Sequence, residues 1–177
     1  MAADLFATPE QVTNRTQGAI TPETHPGLAD ELAAATADFR AFCRWHVAPR
    51  KPLEYRRVGP SSDDVWLPAM QIASIDEVRI DGRDIDPETV EFDPSTGWTS
   101  LYGRNVYVKF TAGYAEIPAN ISAAAMELAA QALGTALGFV REQAGGVSVQ
   151  YSRAGGGIDE DTPGGARLVA YRLGRIP

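Results

Sequence analysis

The chain has 177 residues, of which 44% are apolar, and it carries a formal net charge of −7. A chain of this length can bury one full hydrophobic core, and its acidic balance argues against global attraction to nucleic acid. The single cysteine excludes an internal disulfide framework, and no apolar run approaches the roughly 18 residues of a membrane span. We therefore expect a soluble, non-secreted protein built as one domain with appendages.

Two helices are predicted in the first third of the chain. Thr8-Pro9-Glu10 is typical of a helix start, with an N-cap threonine and proline at the first helical position, and it predicts a helix over about 8–16. Apolar residues then recur at three- to five-residue steps and predict a second helix over about 27–47. They are Leu28, Leu32, Ala35, Phe39, Phe42 and Val47. Pro49 and Pro52 would stop this helix.

The middle of the chain, about 53–112, has the pattern of a small antiparallel sheet. The polar stretch from Gly59 to Asp64 separates two strand-like runs and could join them as a loop. Asp81-Gly82 predicts a tight hairpin turn, because both residues tolerate positive φ. From Val106 to Thr111 apolar residues alternate with the others, so one face of this strand should be buried.

A strand-to-helix junction follows. Gly113 supplies the backbone freedom that ends the strand, and Pro118 suits the first turn of a helix predicted over about 118–142. The many alanines of this helix allow close packing, either against the 27–47 helix or against a second copy of the protein.

The last segment, 145–177, changes in character. Val147 to Tyr151 favours a short strand, Gly155 to Gly157 a flexible joint, and Ala166 to Leu173 a two-turn helix. The segment is either an arm that docks on a partner or a tail packed on its own domain. We predict an α+β fold: a mainly helical bundle core over 1–144, an inserted small antiparallel β-sheet, and an extended C-terminal arm over 145–177 that ends in a short helix.

No set of residues meets the requirements of an active site. Cys43 and His46 could share a helix face, but a zinc site needs three or four ligands, and the other histidine, His25, lies in a polar linker. The pair also lacks an orienting third group for nucleophilic catalysis. Asp81 to Glu88 lacks the spacing of a calcium loop, and Gly155 to Gly157 is not followed by the residues of a phosphate loop. We expect no enzyme activity, no cofactor and no metal.

Charged and aromatic residues are unevenly distributed. Six cations lie between Arg40 and Arg57, and an acidic group lies at Asp159 to Asp161. Complementary patches of this kind suit contacts between neighbouring copies or with an acidic protein partner, with ordinary solvated charges as the alternative. Trp66 and Trp98 are candidates for interface anchors or for core packing, and core packing is favoured for Trp98.

Six segments occur together in an order that is itself informative. They are Thr8-Pro9-Glu10, the helix from Leu28 to Val47, Ile75 to Gly82, Val106 to Tyr114, Ile117 to Ile121 and Val169 to Leu173. The most distinctive is the strand ending in Thr-Ala-Gly-Tyr, followed after a short spacer by Ile-Pro and an alanine-rich helix. With these segments the chain resembles the head-to-tail connector, or adaptor, proteins of long-tailed bacteriophages.

The resemblance implies a structural virion protein that forms a ring, usually of twelve copies, below the portal protein in the neck. The protein would be made in the host bacterial cytoplasm. The ring would link the portal to a stopper or another neck or tail protein and extend the DNA channel, with DNA passing through the lumen without specific binding and with no membrane involved. The implied portal-docking arm comprises Tyr151, Arg153, Arg167, Leu168, Tyr171, Arg172 and Leu173. The implied contacts with neighbouring subunits or the neck comprise Arg40, Arg44, Arg56, Arg57, Asp63, Asp64 and Trp66.

Two alternatives stay open. The first, in the same class, is another neck or tail-completion protein such as a stopper. The second is a small DNA-binding or packaging-regulatory module that uses the cations between Arg40 and Arg57.

Overall fold

The computed structural model describes residues 4–62, 65–134, 141–144, 147–150, 158 and 163–174. The helices are α1 (Pro9–Arg15), α2 (Leu28–Cys43), α3 (Ala119–Gly134) and α4 (Pro163–Ala166), with 3₁₀ turns at Pro87–Thr89 and Val169–Tyr171. The strands are β1 (Lys51–Ser62), β2 (Val65–Trp66), β3 (Ile72–Ile80), β4 (Arg83–Ile85), β5 (Trp98–Thr99), β6 (Gly103–Ala112), β7 (Arg141–Ala144) and β8 (Val147–Gln150). Helices and antiparallel sheets together confirm the α+β class.

The chain divides into two compact units. The first combines Met1–Phe42 with Pro118–Ala170, and the second combines Cys43–Ile117 with Tyr171–Pro177. The second unit therefore contains the predicted β insertion, which the chain enters after α2 and leaves before α3. The last described residues are shared between the two units, whereas the sequence predicted a separate segment over 145–177.

In the first unit, local side-chain bonds fix the start of α1. The Thr8 hydroxyl accepts a hydrogen bond from the N–H of Gln11 at 3.3 Å, and the Gln11 side chain accepts one from the N–H of Thr8 at 2.8 Å. This reciprocal capping box satisfies two N–H groups that the helix cannot pair itself. The predicted N-cap at Thr8 is confirmed.

Two helix ends differ from the sequence prediction. α2 ends at Cys43 and not at Val47, because Arg44 adopts a φ of 66°, a left-handed conformation that stops an α-helix. α3 is described to Gly134, and residues 141–144 form β7, which pairs with β8. The predicted helix end at 142 therefore falls within a strand. Residues 135–140 lie outside the described part. No described helix combines the length and apolar character needed to cross a membrane.

In the second unit, the main sheet has the strand order β1-β6-β3-β4, with every neighbouring pair antiparallel. β6 is central, and its residues alternate as predicted: Val106, Val108 and Phe110 are buried, while Tyr107 and Lys109 between them are partly exposed. Alternation follows from the two-residue period of a strand, so β6 separates a buried sheet face from an outer face.

Turn chemistry explains one connection of this sheet but not another. Asp81 and Gly82, with φ values of 50° and 82°, form the predicted two-residue hairpin turn between β3 and β4. The predicted loop over 59–64 differs, because β1 continues through Gly59 and Pro60 to Ser62. Its pairing with β6 shifts register between Val58 and Ser62, and β2 pairs with β5 instead of β1.

At the end of β6, backbone segments meet closely around Gly113. Gly113 has a φ of 111°, and a Cβ there would lie 2.5 Å from His46 Nε2 and 3.1 Å from the carbonyl oxygens of Val47 and Pro49. The N–H of Tyr114 donates to the Val47 carbonyl at 2.9 Å. Gly113 therefore both ends the strand and permits the segment after α2 to pack against it.

Replacing Gly113 with alanine should destabilise the protein by at least about 2 kcal/mol, because alanine adds both positive-φ strain and a steric overlap. Urea unfolding followed by circular dichroism measures this change. Gly59→Ala is the matched control, since a Cβ at Gly59 meets nothing within 4 Å and φ there is not positive. Equal effects of the two substitutions would contradict the proposed close approach.

Candidate interaction surfaces

The last described residues are attached to the segment that follows α2. The Trp45 indole N–H donates to the carbonyl of Tyr171 at 2.6 Å, and the N–H of Leu173 donates to the carbonyl of Cys43 at 2.9 Å. The rings of Tyr114 and Tyr171 make an edge contact with centroids 5.7 Å apart. Residues 171–173 are therefore part of the second unit.

This attachment bears on the predicted portal-docking residues. Leu168 and Leu173 are buried, Tyr171 and Arg172 are half-buried, and Arg167 is exposed. Tyr151 and Arg153 lie outside the described residues. The interpretation of a tail packed on its own domain fits residues 168–173, and Arg167 retains an outward side chain. The sequence predicted an extended arm here and could not show this packing, because the packing partners of the tail lie more than a hundred residues away.

The cations of the predicted basic cluster are divided between the two units. Arg40 lies in the first unit, donates to the carbonyl of Asp4 at 2.8 Å and stacks over Phe6 at 5.1 Å. Burial lowers the pKa of the Arg40 guanidinium from its ordinary value, an effect that the charge of Asp4 opposes. In the second unit, Arg57 donates to the carbonyl of Gly103 at 2.9 Å.

Arg44 and Arg56 are exposed, in contrast. The Arg56 guanidinium lies 4.8 Å from the centroid of the Tyr107 ring and 3.8 Å from the Glu54 carboxylate. Arg56 therefore belongs to the outer face of the sheet, where it has a carboxylate and an aromatic ring as neighbours. Exposed contacts of this kind contribute little to stability, which leaves the guanidinium free to exchange partners.

The outer face of the sheet carries charged residues in two rows that were not predicted from the sequence. The register places Arg56, Tyr107, Arg79 and Asp84 in one row across the four strands, and Glu54, Lys109 and Glu77 in the next. Arg79 bridges the rows, at 2.8 Å from both Glu77 and Asp84. The two-residue alternation of β3 and the hairpin turn indicate which charged residues share a face of the sheet. Only the strand order shows which of them become neighbours across strands.

A pair of tryptophans forms the other distinctive feature of the second unit. Trp66 and Trp98 are directly opposite each other in the β2–β5 pair, and both are half-buried. The buried Nε1 of Trp66 has no hydrogen-bond partner among the described residues. Trp98 was expected to favour the core, and its partial exposure leaves it at the surface edge of that core. Asp63 and Asp64, predicted beside Trp66, lie outside the described residues.

Cys43 and His46 are surrounded by groups of the folded core and backbone. Cys43 is buried, and burial raises the pKa of its thiol from about 9 to about 11, an effect that the charge of Arg172 partly offsets. His46 Nε2 lies 3.0 Å from the carbonyl oxygen of Ala112. Among the described residues, no group of three or more His, Cys, Asp or Glu side chains is placed to hold a metal ion.

Comparison with known proteins gives a likeness in structure. No model of a protein family matches the chain, and no curated protein sequence matches it. A solved structure does: a chain in the neck of an empty GTA (phage-like gene transfer agent) particle, computed with C6 symmetry. The TM-score is 0.52 at 17% sequence identity, and the match covers 86% of this chain and 80% of the neck chain. The likeness shows the fold.

Truncating Leu168 to alanine should destabilise the protein by about 2–4 kcal/mol, because the side chain is fully buried and its removal leaves a cavity. Val169→Ala is the matched control: Val169 is 46% exposed, and its truncation should cost less than about 0.5 kcal/mol. Thermal and urea unfolding measure both. An unchanged stability of Leu168→Ala would show that the tail does not contribute to the folded core.

The raised pKa of Cys43 predicts how stability varies in alkaline solution. The thiol remains protonated in the folded protein up to about pH 11 but ionises near pH 9 when unfolded. The unfolded state then binds fewer protons, so the free energy of unfolding should fall as pH rises from about 9 to about 11. A Cys43→Ala variant should show a smaller fall. The pKa of Tyr114 is also raised by burial, but Tyr114 is present in both proteins, so the difference isolates the thiol.

Proposed function

We propose that this protein is a structural component of the neck of a phage-like particle, acting as a head-to-tail adaptor. Twelve copies would form a ring below the portal, extend the DNA channel and link the capsid to the neck and tail. The fold likeness to a GTA neck chain, over 86% of this chain, carries the proposal. The sequence resemblance supports the adaptor position in particular, through β6, the Ile117-Pro118 pair and the alanine-rich α3.

The electrostatics of the described residues support a channel through which DNA slides. The side chains of Arg40, Arg50 and Arg57 donate to backbone carbonyls, so part of their hydrogen-bonding capacity is used within the protein. The whole chain has a net charge of −7. Tight phosphate binding requires clustered, available cations, and it would also slow the passage of DNA. The same observations favour the adaptor over a DNA-binding module.

The packing of the tail refines the portal contact. Leu168 is buried and fixes the local backbone, while its neighbours Arg167 and Val169 are exposed. We place the portal contact on Arg167 and Val169, with Leu168 holding them in position. Arginine is among the residues that most often anchor interfaces, and the exposed Val169 adds apolar area two positions along the chain.

Particles assembled with altered protein test this proposal. Arg167→Glu combined with Val169→Asp should leave the fold intact and lower stability only slightly, since both side chains are exposed, but should yield heads that lack necks and tails. Gln131→Glu, a charge change at an exposed position of α3, serves as the matched control and should give normal particles. Electron microscopy of purified particles and cross-linking to the portal protein are the measurements.

The outcomes separate the adaptor from its alternatives. A ring of twelve copies in contact with the portal supports the adaptor, and a position below another neck ring would identify a stopper. Absence of the protein from particles, together with salt-dependent DNA binding that is lost on charge reversal at Arg56 and Arg57, would replace the proposal with a DNA-binding module.

A further inference from the structure

β1 is a long edge strand. Within the described residues its ladder partner is β6, and the strand order puts β1 at one end of the sheet and the three-residue β4 at the other. An edge strand presents a row of N–H and C=O groups that can pair with another strand. The middle of β1 is well exposed at its side chains: 56% for Glu54, 75% for Arg56 and 85% for Val58.

Pro52 indicates which backbone groups of β1 face the open edge. Proline has no N–H, so within a paired strand its nitrogen is tolerated where it points away from the partner. Pro52 lies opposite Thr111 of β6. Along an antiparallel strand, the N–H and C=O groups of successive residues point alternately to the two edges of the strand. Glu54, Arg56 and Val58 therefore direct their backbone N–H and C=O groups to the same open edge as Pro52.

The charges on the β1 edge of one copy are complementary to those on the same edge of a second copy. When two β1 strands pair antiparallel about a two-fold axis at Tyr55, Glu54 of each copy lies opposite Arg56 of the other. Both residues have outward backbone groups, so the same register forms two ion pairs and about six backbone hydrogen bonds. Shifting the register by two residues would put Arg56 opposite Arg56, and like charges directly opposite are unfavourable.

The edge at β4 is a poorer partner for β1. β4 has three residues, and the register that places Arg56 opposite Asp84 also places Glu54 opposite Asp86 and Arg57 opposite Arg83. Two like-charge pairs then accompany one favourable pair. We propose that the free protein forms a two-fold dimer through β1, in which Glu54 and Arg56 of the two copies pair reciprocally and the two sheets become continuous.

This dimer is a property of the free protein and does not rest on the proposed neck function. A two-fold contact uses the same surface on both copies and closes on itself, whereas a ring requires head-to-tail contacts. The dimer therefore covers the exposed strand edge before the protein meets other partners.

Charge reversal at β1 tests the dimer with the full chain. Sedimentation velocity over a concentration series should show a monomer–dimer equilibrium for the wild type. Glu54→Lys and Arg56→Glu should each raise the dimer dissociation constant by roughly 30-fold or more, because like charges then face each other twice. The two side chains are exposed, and circular dichroism should confirm that each variant is folded.

Mixing the variants provides the decisive measurement. Glu54→Lys and Arg56→Glu chains combined in equal amounts should form a mixed dimer, since opposite charges again meet at both positions. The double variant should likewise dimerise by itself. Asp84→Lys on β4 is the matched control and should leave the dimer unchanged. A wild type that stays monomeric, single variants that dimerise normally, or loss of the dimer in Asp84→Lys would each overturn the proposal.

Discussion

The close approach of backbones at Gly113 is the constraint on which the second unit depends. The Gly113 N–H donates to the carbonyl of Gln71, its own carbonyl accepts from the Arg50 side chain, and the N–H of Tyr114 donates to the carbonyl of Val47. One short stretch thus holds the end of β6, the start of β3 and the segment after α2. Three of the bonded groups are backbone carbonyls and two are backbone N–H groups. The contact therefore depends mainly on the absence of a Cβ at Gly113, which lets the backbones approach, and less on any particular side chain. The ring of Tyr114 continues the join to the last described residues.

This join explains how a small sheet becomes a platform with defined surfaces. β6 is central, and its alternation assigns each sheet residue to the buried face or to the outer face. The outer face then presents two rows of mostly charged residues, and Arg79 contacts a carboxylate in each row. Such exposed pairs add little to stability but specify which surface can face them. The proposed adaptor would act by holding interfaces at fixed positions, and this kind of order suits that role. The buried thiol of Cys43 has a raised pKa, which makes it less reactive.

Features fixed by neighbouring residues could be predicted from the sequence, and features fixed by distant residues could not. The Thr8 cap, the Asp81-Gly82 turn and the alternation of β6 each depend on a few adjacent positions, and all three were predicted. The extension of β1 through Gly59 and Pro60 was missed because strong turn residues become acceptable on an edge strand with a register shift. The packing of the tail was missed and an extended arm was predicted instead, since the packing depends on the distant Trp45 and Cys43. At the candidate surfaces, the sequence supplied the charged residues but not the strand order that arranges them.

The two assembly states proposed for this protein would compete if the ring used the β1 edge, and that competition would limit how stable the dimer can be. A ring grows by head-to-tail contacts, so a copy paired through β1 about a two-fold axis must release that pairing before it can join a ring that uses the same edge. A ring of that kind requires a weak dimer. The composition of β1 meets this condition, because Pro52 removes one donor from the edge and the ion pairs are exposed to solvent. Assembly would then proceed by mass action, with a partner that binds the monomer drawing copies out of the dimer. The complementary charges of β1 allow the dimer to cover the exposed edge, and Pro52 keeps that pairing weak enough for another partner to replace it.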